Sequence, residues 1–133
     1  MKDLPLSLDH LVFAQLMKDF HASEGQAAES RWYWLMAAHI VGQHYFALHW
    51  RNHTAMLRFA FRMRDYPEVT GQLLRLLLVP LGHLIGKLPT GNIGRATVSA
   101  FKRMELDPPM QQLISDTRTK MHQRPMSAAS TNT

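Results

Sequence analysis

The stretch that decides the fold reads Met36-Ala-Ala-His-Ile-Val-Gly-Gln-His-Tyr-Phe-Ala-Leu-His-Trp-Arg-Asn-His53. Apolar residues on both sides of Gly42 follow the three- and four-residue spacing of an α-helix. A glycine closing a helix tolerates the left-handed conformation, so Gly42 predicts the end of a helix that runs to about Val41. The next helix is expected to span roughly Tyr45 to Met63. The stretch therefore predicts two antiparallel helices joined by a tight turn.

Two capping signals precede this hairpin. Ser7 can cap a first helix that runs to about His21. Ser23 is followed three residues later by Gln26, the spacing of a capping box at the start of the second helix.

The chain after the hairpin contains one further long helix. Asp65 is expected to cap this fourth helix, and Pro80 to kink or end it because its ring removes an amide donor. Residues 88–94, rich in glycine and proline, predict a loop. A last short helical piece is expected over residues 110–115, and the polar residues 117–133 predict a flexible tail.

These elements predict an all-α fold of four or more helices in antiparallel hairpins, either a bundle or a helical-repeat-like stack, with a C-terminal loop segment and a disordered tail. A chain of 133 residues is long enough for one domain, here residues 1–116, to bury its own core. The start of the chain lacks the apolar core of a secretory signal, and residues 73–88 fall short of a spanning helix. We therefore expect a cytoplasmic protein without a transmembrane segment.

The composition limits the kinds of metal site and nucleophile that the chain can form. The chain has no cysteine but 8 histidines and 9 methionines. Disulfides, thiolate metal sites and cysteine nucleophiles are thereby excluded, and a transition metal would need imidazole, thioether or carboxylate ligands. The formal net charge of +5 is compatible with nucleic acid or an acidic protein as partner, but the arginines form no continuous run.

The hairpin brings several candidate ligands to one level. Met36 and His39 share a face of the second helix, and His49 and His53 share a face of the third. If the turn centres on His44, His39 lies opposite His49, and Met36 lies opposite His53 one helical turn deeper.

This arrangement predicts a transition-metal site. Its candidate ligands are His39, His49, His53, Met36 and, from the first helix, His10; Gln43 and Met56 would support them. Imidazole suits zinc, copper and iron, whereas a thioether favours Cu(I). The pattern therefore favours copper, with zinc or iron as further candidates, in a protein for metal handling, resistance or sensing rather than an enzyme.

Several alternatives stay open. A haem is disfavoured, although a helical pair with His and Met ligands can hold one. The methionines could be core filler and the histidines structural, in which case the chain is a helical interaction module that binds a protein or nucleic acid through its basic surface. A homodimer is compatible with either function. His21, His44, His83 and His122 have no evident partners in the sequence.

The sequence also resembles a family of short bacterial proteins, the domain of unknown function family 3703. The resemblance covers about residues 31–104 and rests on four motifs, which are Ala38–Gln43, His53–Leu57, Gly71–Leu76 and Leu88–Gly94 with Val98–Phe101 after it. It implies a small helical protein without an assigned activity, associated with metal-resistance genes. His39, Gln43, His49 and His53 match the family's pattern, whereas Met36 stands where that pattern has glutamate.

Overall fold

The described part of the chain forms five helices, of which the first four pack as consecutive antiparallel neighbours. The computed structural model describes residues 7–129, with side chains through Arg124. Within that range the elements are all helices, with no strand, which confirms the predicted all-α class. They are α1 (Leu8–Ala22), α2 (Ala28–Gly42), α3 (Phe46–Arg62), α4 (Tyr66–Ile85) and α5 (Pro108–Ala129).

Each helix packs on the next because the connections between α1 and α4 are only a few residues long. The helix α5 returns across the molecule to pack on α1 and α2. One apolar core lies among α1, α2 and α5, and a second, aromatic core lies between α2 and α3. The loop of residues 86–107 covers the place where α2, α3 and α4 meet.

Two of the predicted caps are confirmed. The hydroxyl of Ser7 accepts a hydrogen bond from the backbone N–H of His10, and the carboxylate of Asp65 accepts one from Glu68. The predicted capping box is wrong, because Ala27 is the N-cap of α2 and Ser23 donates instead to the Phe20 carbonyl.

The helix α2 ends at Gly42 as predicted, but the left-handed backbone predicted for this glycine is wrong. Gly42 is not among the glycines with positive φ. A Cβ atom at this position would lie only 2.9 Å from the ring of Phe13. Close approach of α1 therefore explains this glycine better than the turn does.

The helix α4 continues past Pro80, so of the two predicted effects, a kink or an end, the end does not occur. Pro80 lies on the exposed side of the helix, where water can satisfy the carbonyl that it leaves unpaired. The inner face of α4 carries Glu68, Gln72 and Arg75, while its outer face exposes leucines such as Leu77 and Leu84. By length and composition alone α4 could span a membrane, and 22% of the 18-residue window that passes this test is buried in the protein.

The C-terminal region departs most from the sequence prediction. The helix α5 runs from Pro108 through Ala129 rather than ending near Ser115. Thr117 and Met121 continue the inward spacing set by Met110 and Ile114, and all four are buried. The sparse apolar residues of this segment hid that spacing, and the last residues of the predicted tail, 130–133, lie outside the described part of the chain.

Candidate metal centre

Three histidines meet where α2, α3 and α4 face one another. The Nε2 atom of His39 lies 3.2 Å from that of His49 and 3.1 Å from that of His53, and the two latter atoms are 3.1 Å apart. All three side chains are buried. The predicted convergence of His39, His49 and His53 across the hairpin is therefore present as a nearly equilateral triangle of nitrogens.

The loop after α4 fixes the ring of His39. The Nδ1 atom of His39 donates to the backbone carbonyl of Asn92 over 2.6 Å. Asn92 holds the loop in shape, because its amide group donates to the carbonyls of Ser99 and Lys102 and its oxygen accepts from Gly94.

The same loop presses against the other side of this ring. Gly94 has φ +82°, and a Cβ atom there would lie 2.6 Å from the His39 ring. Glycine is required on both counts, because the backbone is left-handed and the approach is too close for a side chain.

A buried amide fixes the ring of His53. Its Nδ1 lies 2.7 Å from Oε1 of Gln72. The Gln72 amide nitrogen donates to Glu68 and to the carbonyl of Gly94, which leaves only its oxygen to face the histidine. His53 therefore carries its proton on Nδ1.

A fourth histidine supports His49. The Nδ1 of His49 lies 2.9 Å from Nε2 of His83. One of these two nitrogens donates and the other accepts, and in either case the contact holds the His49 ring in place.

Two of these contacts fix a tautomer. The rings of His39 and His53 carry their protons on Nδ1 and present a bare Nε2 to the middle of the triad. Burial lowers the pKa of His49 to about 3 and that of His53 to about 4, and it holds the pKa of His39 well below its usual range. All three rings are therefore neutral near pH 7, which is the form that binds metal.

The triangle fits a transition-metal ion. A metal bound at 2.0–2.1 Å to three nitrogens at tetrahedral angles holds them about 3.3–3.4 Å apart. The observed edges of 3.1–3.2 Å are within a few tenths of an ångström of that value. Acceptor groups on the outer nitrogens, as seen here for His39 and His53, are the usual way in which proteins orient metal-binding histidines.

The other predicted ligands lie elsewhere. Met36 packs against the α1–α2–α5 core and lines a separate cavity with Met104 and Met110. His10 contacts Ser7 and the ring of Tyr45. Neither contributes a contact to the triad, so the thioether that favoured copper is not part of the site.

Of the two residues predicted to support the ligands, Gln43 lies beside the triad and Met56 lies in the aromatic core. Met56 is fully buried in the aromatic core between α2 and α3, where it acts as packing. Gln43 lines a cavity beside the triad, is 1% exposed, and has no hydrogen-bond partner for either atom of its amide group.

Sequence reasoning missed the residues that orient the ligands. His83 lies near the end of α4, the helix that follows the hairpin of α2 and α3, so its contact with His49 has no local signature. Gln72 and Glu68 share a face of α4 four residues apart, a spacing that would have paired them but not placed them behind His53. Asn92 contacts His39 through its backbone carbonyl, which no side-chain pattern can reveal.

Comparison with known proteins identifies the family of the chain. Neither a curated protein nor a solved structure matches it. A family model described as "Protein of unknown function (DUF3703)" matches residues 8–114, which include every residue of the triad and its supports. The chain therefore belongs to the DUF3703 family.

Proposed function

We propose that this protein binds one transition-metal ion through the Nε2 atoms of His39, His49 and His53. The observation that carries the proposal is the triangle of buried Nε2 atoms 3.1–3.2 Å apart. The bare Nε2 atoms of His39 and His53 repel each other at this distance, because both rings carry their protons on Nδ1. A cation at the centre of the triangle converts that repulsion into coordinate bonds.

The ligand set bears on the choice of metal. Three imidazoles without thiolate or thioether suit zinc, copper, iron and nickel. A three-histidine set also leaves a coordination position open, which is typical of reactive or exchangeable sites rather than closed structural ones. Metal handling or sensing is the function that these features support.

The test is metal uptake by the purified chain. We expect elemental analysis and cobalt or zinc titration to give one ion per chain, with a rise in thermal stability on binding. The double variant His49→Ala plus His53→Ala should lose both responses. The matched control His21→Ala plus His122→Ala removes two exposed histidines and should keep both.

Two results would refute the proposal. One is a wild-type protein that neither retains nor takes up zinc, copper, iron, cobalt or nickel and shows no thermal shift with any of them. The other is equal uptake by the double variant, which would place the metal away from the triad.

A further inference from the structure

The triad borders a cavity that holds an unsatisfied amide. Its volume is about 60 Å³, and the residues around it include Gln43, Arg75, Leu78, Val79, Lys87 and Phe101. Because a single water needs roughly 10–15 Å³ of such space, the cavity has room for about four small groups beside the imidazoles.

Gln43 indicates that a polar ligand belongs in this cavity. Its side chain is 1% exposed, and both its amide nitrogen and its amide oxygen lack partners. An unsatisfied buried amide destabilises the fold, so proteins seldom leave one without a function. Gln43 caps the C-terminus of α2, where its backbone N–H donates to the carbonyl of His39, so its backbone position relative to the triad is fixed.

The charge around the cavity specifies the kind of ligand. The basic side chains Arg75 and Lys87 line it, and no acidic side chain does. Arg75 is held in place by donating to the backbone carbonyls of Gly71, Arg95 and Val98. A divalent metal ion in the triad would add two further positive charges, so the cavity would attract an anion.

We propose that the open coordination position of the metal binds a small anion of about three or four non-hydrogen atoms, which the Gln43 amide hydrogen-bonds in the cavity. The proposal rests on the proposed metal site. The linear and planar anions of this size, such as azide, thiocyanate and bicarbonate, share the required charge and dimensions.

The experiment uses the cobalt(II)-substituted protein, whose visible spectrum reports changes in coordination. Azide should shift the cobalt bands saturably, whereas benzoate, which is too large for the cavity, should not. Gln43→Leu should weaken azide binding about 10- to 100-fold, as expected for the loss of a hydrogen bond to a charged group. The control Gln112→Leu changes an exposed glutamine on α5 and should leave azide affinity unchanged.

A second measurement separates ligand binding from a structural role of Gln43. Because the amide lacks partners, the metal-free Gln43→Leu protein should be as stable as wild type or more stable. A marked loss of stability in that variant would overturn the proposal, since it would show that the amide is already satisfied within the protein.

The two proposals fail differently. If cobalt binds but azide leaves its spectrum unchanged, or if Gln43→Leu binds azide as tightly as wild type, the anion site is refuted and the metal site stands. If no cobalt spectrum forms, the metal site itself fails and the anion site fails with it.

Discussion

Mild acid should destabilise the metal-free protein well before its carboxylates titrate. The folded state keeps His49 and His53 neutral, because burial lowers their pKa values to about 3 and about 4. In the unfolded chain a histidine takes up its proton near pH 6.5. Stability is therefore fully present above about pH 6.5 and is lost as the pH falls from there towards the folded-state values.

The size of the effect follows from proton linkage. At pH 5.5 each histidine that is protonated only in the unfolded state costs about 1.4 kcal/mol relative to neutral pH. His49 and His53 together account for about 3 kcal/mol. His39, whose pKa is also far below its usual range, raises the total to about 4 kcal/mol. With a urea m-value of roughly 2 kcal/mol per molar, the midpoint should fall by about 2 M.

The assay is urea unfolding of chelator-treated protein, followed by helical circular dichroism at pH values from 7.5 to 5.5. This window excludes most carboxylate titration. His53→Gln should reduce the slope of stability against pH by about one proton at the acid end. His122→Gln, which removes an exposed imidazole, should leave the slope as it is.

One result would refute the reasoning. If the free energy of unfolding is flat between pH 7.5 and pH 5.5, the three rings accept protons in the folded state as easily as in the unfolded chain. The triad would then not be a set of buried neutral imidazoles, and its proposed role as a preformed ligand set would lose its physical basis.

Four further predictions concern the site and its loop. Gly94→Ala should weaken cobalt affinity at least tenfold and destabilise the protein by about 1–3 kcal/mol, because the new methyl group would meet the His39 ring. The control is Gly25→Ala, which introduces the same backbone strain at a similar positive φ but in open space. Asn92→Ala removes three hydrogen bonds within the loop, so it should lower metal affinity and speed proteolysis between α4 and α5. Unchanged metal affinity and an unchanged proteolysis rate would show that the loop does not depend on this side chain. Met36→Leu should leave metal affinity and the order of metal preference unchanged, and a shift away from Cu(I) would restore Met36 as a ligand. Calorimetric titration of zinc in two buffers of different ionisation enthalpy should show almost no proton release from the ligands above pH 5.5, since these are already neutral.

The part of the site that could be predicted is the part encoded by spacing. His49 and His53 are four apart on one helix, and a tight turn places His39 at the same level, so the hairpin alone brings them together. The same logic failed for Met36, because being level with the site does not settle which way a side chain points. Met36 lies on the α2 face turned towards α5, whose length the sequence did not indicate.

The rest of the site depends on contacts distant in sequence. Asn92 is 53 residues from the ring that it orients, and His83 is 34 residues from its partner. Such pairings follow from the packing of α4 and of the loop after it, which hydrophobic periodicity does not specify. The predictions of a homodimer, of a protein or nucleic-acid partner and of a cytoplasmic location stay predictions.

A main-chain oxygen orients the ring of His39, and this determines which changes in sequence the site can tolerate. The orientation of the ring is therefore encoded in the path of the chain, which the Asn92 side chain holds through its hydrogen bonds to the loop. Substitutions elsewhere in the loop that preserve this path should be tolerated, whereas an insertion or deletion between α4 and α5 would move the oxygen and turn the imidazole. The length of this segment is thus as much a part of the signature of the proposed site as the histidines themselves.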